Sequence, residues 1–226
     1  MNLGTHTWPE LDGPPKVTLL VPVGSTEQHG PHLPLDTDTR VAEAVARGAA
    51  AELGEHTVVA PAVSFGASGE HERFAGTVSI GHDALRAVLV ELGRSAGRWV
   101  RRVVFVNGHG GNVEVLRDAV QLLRAEGRDA RWFGCALPQD AGFVRDGHAG
   151  RTETSLMLAL APDTVRLDRA APGNTAPLRE LLPAMRTAGV RAVSENGVLG
   201  DPAGASAAEG ERMLAALVEA CVDFVS

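Results

Sequence analysis

Four short apolar runs limit what this chain can become. Lys16 to Val23, Thr57 to Val63, Arg102 to Val106 and Ala130 to Ala136 each have the length and apolar content of a buried strand. Helical segments lie between and after them. Thr39 to Leu53 is rich in alanine. His82 to Gly97 carries Leu85, Val88, Leu89 and Leu92 on one face, and Val113 to Glu126 is closed by Gly127. Thr152 to Leu160 stops before Pro162, and Ala207 to Phe224 closes the chain. Strands alternating with helices predict βαβ units: an α/β fold of three layers, with a mostly parallel sheet and helices on both faces. A length of 226 residues suits one domain, 1–226. Residues 66–76, 138–150 and 172–204 read as loops, the last with a short helix over Leu178 to Thr187. Long loops in a compact domain are often functional or bury against a partner subunit.

Composition narrows the function. The net charge of −7 and the lack of any Lys/Arg run disfavour nucleic acid and anionic membrane surfaces as partners. No stretch of 18 apolar residues is present, so no membrane span is expected. The first residues, MNLGTHTWPELDG, lack the basic and apolar regions of a signal peptide. Cys135 and Cys221 are too few for a disulfide scaffold and agree with a cytoplasmic protein. Cys135 sits inside an apolar run and reads as core, and Trp8, Trp99 and Trp132 read as core or interface.

Chemistry concentrates where strands end. Glu27-Gln28-His29-Gly30-Pro31-His32, with Asp36-Thr37-Asp38 behind it, follows the first run, and Asn107-Gly108-His109-Gly110-Gly111-Asn112 follows the third. In an open parallel sheet such residues gather at one edge, where ligands bind. Each has a plainer reading taken singly. Asp38 would cap a helix, Asn112 would cap the next, His148 would be a surface histidine, and Glu153 would be a carboxylate favoured by a helix N-terminus. Together, Glu27, His29, Asp38, His109 and Glu153 form a mixed imidazole and carboxylate set at strand-to-helix junctions. A bridged metal pair needs about five ligands, one of them a carboxylate spanning both ions. Such a set suits Zn²⁺, Mn²⁺ or Fe²⁺. Gly69-Glu70-His71-Glu72-Arg73 matches no H-E-x-x-H helix and reads as a pocket wall or substrate-contacting loop, or as a plain surface loop. Gly66-Ala67-Ser68-Gly69 fails the G-x-S-x-G elbow because Glu stands at 70, which removes the best case for a serine hydrolase.

The stretch from Pro22 to Asp38 (PVGSTEQHGPHLPLDTD), the stretch Asn107 to Asn112 (NGHGGN) and the stretch His148 to Ser155 (HAGRTETS) resemble, in this order, three signatures of the creatininase family of metal-dependent amidohydrolases. The resemblance runs from about Trp8 to the C-terminus. It implies a three-layer α/β subunit with a dinuclear site at the C-terminal strand ends, in a ring-shaped homo-oligomer, commonly a hexamer. By resemblance Glu27, His29, Asp38 and His109 match metal ligands, with Asp38 at the bridging position, and His148 matches a proton-transfer histidine. Creatinine-hydrolysing members place a Glu where Gly111 stands, so the fifth ligand is assigned to Glu153, which joins His148 as a candidate catalytic residue. Those members also carry a tryptophan in the loop before the proton-transfer histidine. Gly134 to Gly147 has none, so creatinine is not the expected substrate. Ser68 to His71, Pro172 to Leu178 and Ser194 to Pro202 are similar to the subgroup of peptidases acting in mycofactocin biosynthesis. That likeness implies cleavage of a modified precursor peptide near its C-terminus, releasing a Val-Tyr-derived unit, with two divalent metals per subunit, Fe²⁺ ahead of Zn²⁺ and then Mn²⁺.

Three other readings stand beside this one. A family member could act on a small cyclic amide or a formamidopyrimidine. Gly108 to Asn112 could be an anion nest in a non-catalytic nucleotide-binding module. The chain could also be a silent oligomeric scaffold, against which the full acidic and imidazole set argues.

Overall fold

The computed structural model describes residues 1–14, 16–138 and 142–226. Four strands form one parallel sheet: β1 (Thr18–Val23), β2 (Thr57–Val59), β3 (Arg102–Asn107) and β4 (Ala130–Gly134), in the order β2-β1-β3-β4. A short helix α1 (Trp8–Leu11) precedes the sheet. The crossovers are α2 (Thr37–Leu53), α3 (Gly81–Ala96) and α4 (Val113–Ala125), followed by α5 (Arg151–Leu160), α6 (Leu178–Ala188) and α7 (Ala207–Val225).

Side-chain alternation along the strands divides the core. Leu19, Val21, Val23, Val103 and Phe105 pack with Leu85, Leu89, Leu116 and Leu123 of α3 and α4 on one face. Leu20, Val104 and Val106 pack with Val45, Leu156, Met213 and Leu217 of α2, α5 and α7 on the other. The three-layer α/β expectation is therefore met. Strands buried on both faces read as continuous apolar runs, which is why β1 and β3 stand out in sequence.

The chain leaves β1 toward one edge to form β2, then crosses back to form β3 on β1's other side. The strand order thus reverses around β1, and the crevice beyond the carboxyl ends of β1 and β3 is where ligands bind in such sheets. β1 and β3 pair in register from Thr18 with Arg102 to Val23 with Asn107, so both motifs leave the sheet at one level.

Several boundaries differ from expectation. β2 ends at Val59 instead of Val63, because Pro61 cannot donate to the ladder; pairing resumes only as a bridge between Val23 and Val63. α2 begins at Thr37, so Asp38 lies in its first turn and is not the cap. Trp99 and Trp132 pack against the core, whereas Trp8 is exposed. Burial pushes the Cys135 thiol up, in keeping with a core residue. Residues 139–141 of the loop expected over 138–150 lie outside the described residues. No helix among the described residues is long and apolar enough to cross a membrane.

Candidate metal centre

Two glycines make the site possible. A Cβ on Gly24, just past β1, would come within 2.4 Å of the Thr39 Cα, and one on Gly108, just past β3, within 2.3 Å of the Asp38 carbonyl oxygen. Both strand exits therefore press against the first turn of α2, and only glycine allows that approach. Ser25 donates from Oγ to Asp38 Oδ2 at 2.7 Å, and Thr39 Oγ1 donates to Ser25 O at 3.0 Å. The first motif is thus fastened to the helix that carries Asp38.

The structure brings the sequence candidates together. His109 Nδ1 lies 3.2 Å from Glu27 Oε1 and 3.2 Å from Asp38 Oδ2. His29 Nε2 lies 3.1 Å from Asp38 Oδ1 and 3.9 Å from Glu153 Oε2. Asp38 therefore turns one oxygen to each imidazole. Three groups among the described residues are close enough to hold a cation: Glu27, Asp38 and His109; His29, His148 and Glu153; and Glu27, His71 and His148. The far nitrogen of His109 sits 3.2 Å from Ala67 O, a pure acceptor, so Nε2 carries a proton and Nδ1 is the nitrogen turned to the carboxylates. Burial opposes charge on this ring, but Glu27 and Asp38 hold its pKa well above the ordinary value, so in the metal-free fold Nδ1 is protonated as well. α5 is tied to the first motif where His32 Nε2 meets Thr154 Oγ1 at 2.9 Å. The Ala149 N–H also donates to the Glu153 carboxylate.

The electrostatics call for a positive charge. Glu27 is fully buried, and among the described residues neither of its oxygens has a hydrogen-bond partner. An isolated buried carboxylate costs several kcal/mol, on the order of 5, unless a cation answers it. Burial pushes the Glu27 carboxyl upward, but His109 outweighs it and brings it down to about 2. Asp38 is likewise held well below its ordinary value: burial opposes this, and His29 and His109 overcome it. Burial also disfavours charge on His29, yet Asp38, Glu153 and Glu27 raise it to about 10. The site is thus complementary to cationic charge, and in the free protein protons meet that demand. A divalent metal fits the donor set.

His148 differs from the other two imidazoles. Its Nε2 is 2.8 Å from Gln28 O, which only accepts, and 3.1 Å from Gln28 Nε2, whose two hydrogens have Gly197 O and His71 Nδ1 as partners, so Nε2 carries the proton. Nδ1 is left free, 3.9 Å from Glu27 Oε1. Burial, and then the neighbouring His29, lower its pKa, so the ring is neutral with an available lone pair.

Sequence reasoning gave two residues no individual role. His71, read as part of a pocket wall, a substrate-contacting loop or a plain surface loop, is buried in the site, with Nε2 3.4 Å from Glu27 Oε1. Burial lowers its pKa to about 3. Gln28 lies beneath it, with Nε2 2.9 Å from His71 Nδ1. The available signal was position, since Ser68 to His71 follow the end of β2. A cavity of about 990 Å³ opens over Glu27, His71, His109 and His148, and its outer wall includes Leu178 and Leu182 of α6. The anion-nest alternative lacks free backbone donors at both ends: the Gly108 N–H donates to Val23 O and the Asn112 N–H to His109 O.

Comparison with known proteins gives the family. A family model described as creatininase, creatinine amidohydrolase, matches residues 4–225. A mycofactocin precursor peptide peptidase of Mycolicibacterium smegmatis is 60% identical, covering 99% of this chain and 90% of the relative. A crystal structure of creatinine amidohydrolase superposes with a TM-score of 0.82 at 29% identity, covering 99% of this chain and 96% of that one. A creatininase variant described as Zn-Zn type superposes at 0.81 with 29% identity, over 99% and 96% of the two chains. This chain belongs to the creatininase family.

Proposed function

We propose that this protein is a metal-dependent peptidase that cleaves a modified precursor peptide near its C-terminus in mycofactocin biosynthesis, releasing the Val-Tyr-derived unit. The observation that carries the hydrolytic chemistry is Asp38, whose two oxygens face His29 and His109 separately. The 60% identity to a peptidase of that precursor supports the substrate, as does the cavity, which is large enough for a peptide end.

In this reading Glu27, Asp38 and His109 hold one divalent cation, and Asp38, His29 and Glu153 hold a second. Fe²⁺ is the first choice, followed by Zn²⁺ and Mn²⁺. When bound, such cations supply Lewis acidity, polarising an amide carbonyl and acidifying water. His148 does the proton work. Its free Nδ1 takes a proton as the water oxygen bonds to the carbonyl carbon. It returns that proton to the nitrogen as the C–N bond breaks, so the products are a carboxylic acid and an amine, which separate as carboxylate and ammonium. Gln28 O holds the ring in the tautomer this requires. We further read the chain as one domain, 1–226, acting in the cytoplasm as a homo-oligomer, with a hexamer expected.

The test is to load the purified protein with Fe²⁺ or Zn²⁺, add the modified precursor peptide and a small formamide in parallel, and follow products by mass spectrometry. Release of the C-terminal unit is expected. Turnover of the formamide alone would replace the substrate assignment.

A further inference from the structure

His71 lies outside all three sequence motifs that define the site, yet it is buried to 3% exposure and lines the cavity beside Glu27. Its protonation pattern follows from its neighbours. Gln28 Oε1 accepts from the Gly30 N–H at 2.9 Å, which fixes the side-chain amide. Gln28 Nε2 then donates to Gly197 O at 3.1 Å and faces His71 Nδ1 at 2.9 Å. His148 Nε2, also 3.1 Å from this amide nitrogen, is turned to Gln28 O at 2.8 Å. The second amide hydrogen therefore goes to His71, whose Nδ1 accepts and whose ring proton lies on Nε2. This amide has no room to turn. A Cβ on Gly197 would come within 1.9 Å of Gln28 Oε1, so the 194–200 segment clamps it in place.

The Nε2–H is therefore an oriented donor. It sits 3.4 Å from Glu27 Oε1 and makes no hydrogen bond with any described residue. The His71 and His148 ring centroids are 4.5 Å apart, so this donor and the proton-carrying imidazole border the same space. Glu27, His71 and His148 are close enough to hold a cation between them, but ligation through Nε2 would move the ring proton to Nδ1, against the Gln28 amide donor, so a ligand role fits poorly.

We propose that His71 is a further catalytic residue whose Nε2–H donates to the substrate's amide carbonyl oxygen and stabilises the negative charge gathering there during attack. Preorganised donors of this kind act where charge develops and need not reorganise during the reaction. The proposal rests on the amide-hydrolysis reading above and is independent of which amide is cleaved.

The experiment compares wild type with His71→Ala, His71→Met and His71→Gln, each metal-loaded, on whichever amide wild type turns over. An inactive wild type on the peptide counts against the peptide assignment alone, and the comparison then runs on the small formamide. For H71A we expect kcat to fall about 10²- to 10³-fold with KM nearly unchanged. Affinity for a phosphinate analogue of the scissile amide, which mimics the oxyanion, should fall by a similar factor, and metal content should stay constant. H71M, which fills the space without an N–H, carries the same test if H71A does not fold, and H71Q should recover part of the loss. Unchanged kcat and analogue affinity in H71A or H71M would overturn the proposal, as would loss of metal from them.

Discussion

Asp38 Oδ1 lies 3.1 Å from His29 Nε2, while its other oxygen is committed to His109 and Ser25. One carboxylate thus joins two donor groups that the sequence supplies from separate strand exits. Replacing it should cost more than replacing any ligand of a single group. We expect Asp38→Ala to lose both cations after dialysis, and His109→Ala and Glu153→Ala to lose about one each. Elemental analysis per folded chain checks this, and full metal content in H109A would remove the paired-cation reading.

His148 should separate binding from chemistry. We expect His148→Ala to keep its metal and lose about 10²- to 10⁴-fold in kcat, the usual worth of a positioned proton donor. Loss of metal from this variant would reassign His148 as a ligand, a role its place beside His29 and Glu153 also allows.

The pH dependence follows from His29. Burial works against its charge, yet Asp38 and its acidic neighbours hold the imidazole at about 10 in the metal-free fold, against about 6.5 in an unfolded chain. A raised pKa adds stability that is fully present below about pH 6.5 and is lost as pH climbs through about 10. A cation must displace that proton, so metal affinity should rise across the same window, by up to about tenfold per pH unit for one proton. Competition titrations at several pH values measure the slope. A flat profile would mean that His29 is already neutral before metal arrives.

Gly108 and Gly110 offer a matched pair. A Cβ at 108 meets the Asp38 carbonyl at 2.3 Å, whereas one at 110 meets nothing within 4 Å. Gly108→Ala should cost about 1–3 kcal/mol, lowering Tm by about 2–4 °C per kcal/mol in a chain of this size, and weaken metal binding by shifting His109. Gly110→Ala should leave both within about 0.5 kcal/mol of wild type. Equal thermal melts for the two variants would show that the strand exit does not depend on this close approach.

Much of this arrangement was legible before any coordinates. β1 and β3 are buried on both sides, so their apolar runs are unbroken, and the polar residues that follow mark the sheet edge. The individual plain readings failed at Asp38 because helix capping depends on where the first turn begins, and α2 starts one residue ahead of it. His71 was harder to see. It sits in a three-residue turn with no periodicity, beyond a strand that Pro61 cuts short, and it meets Glu27 only through tertiary packing. Gln28 lay in plain view in the first motif, but its role depends on His71 and on a segment near the other end of the chain.

Val23 and Asn107 stand as neighbouring rungs at the top of the sheet. The span between the two halves of the centre is therefore fixed by ladder spacing, about 4.8 Å, and not by the long stretch of chain that separates them. Lengthening the α3 crossover or grafting a foreign segment into its solvent side would leave that span untouched, whereas slipping the register of β3 by a single residue would dismantle it.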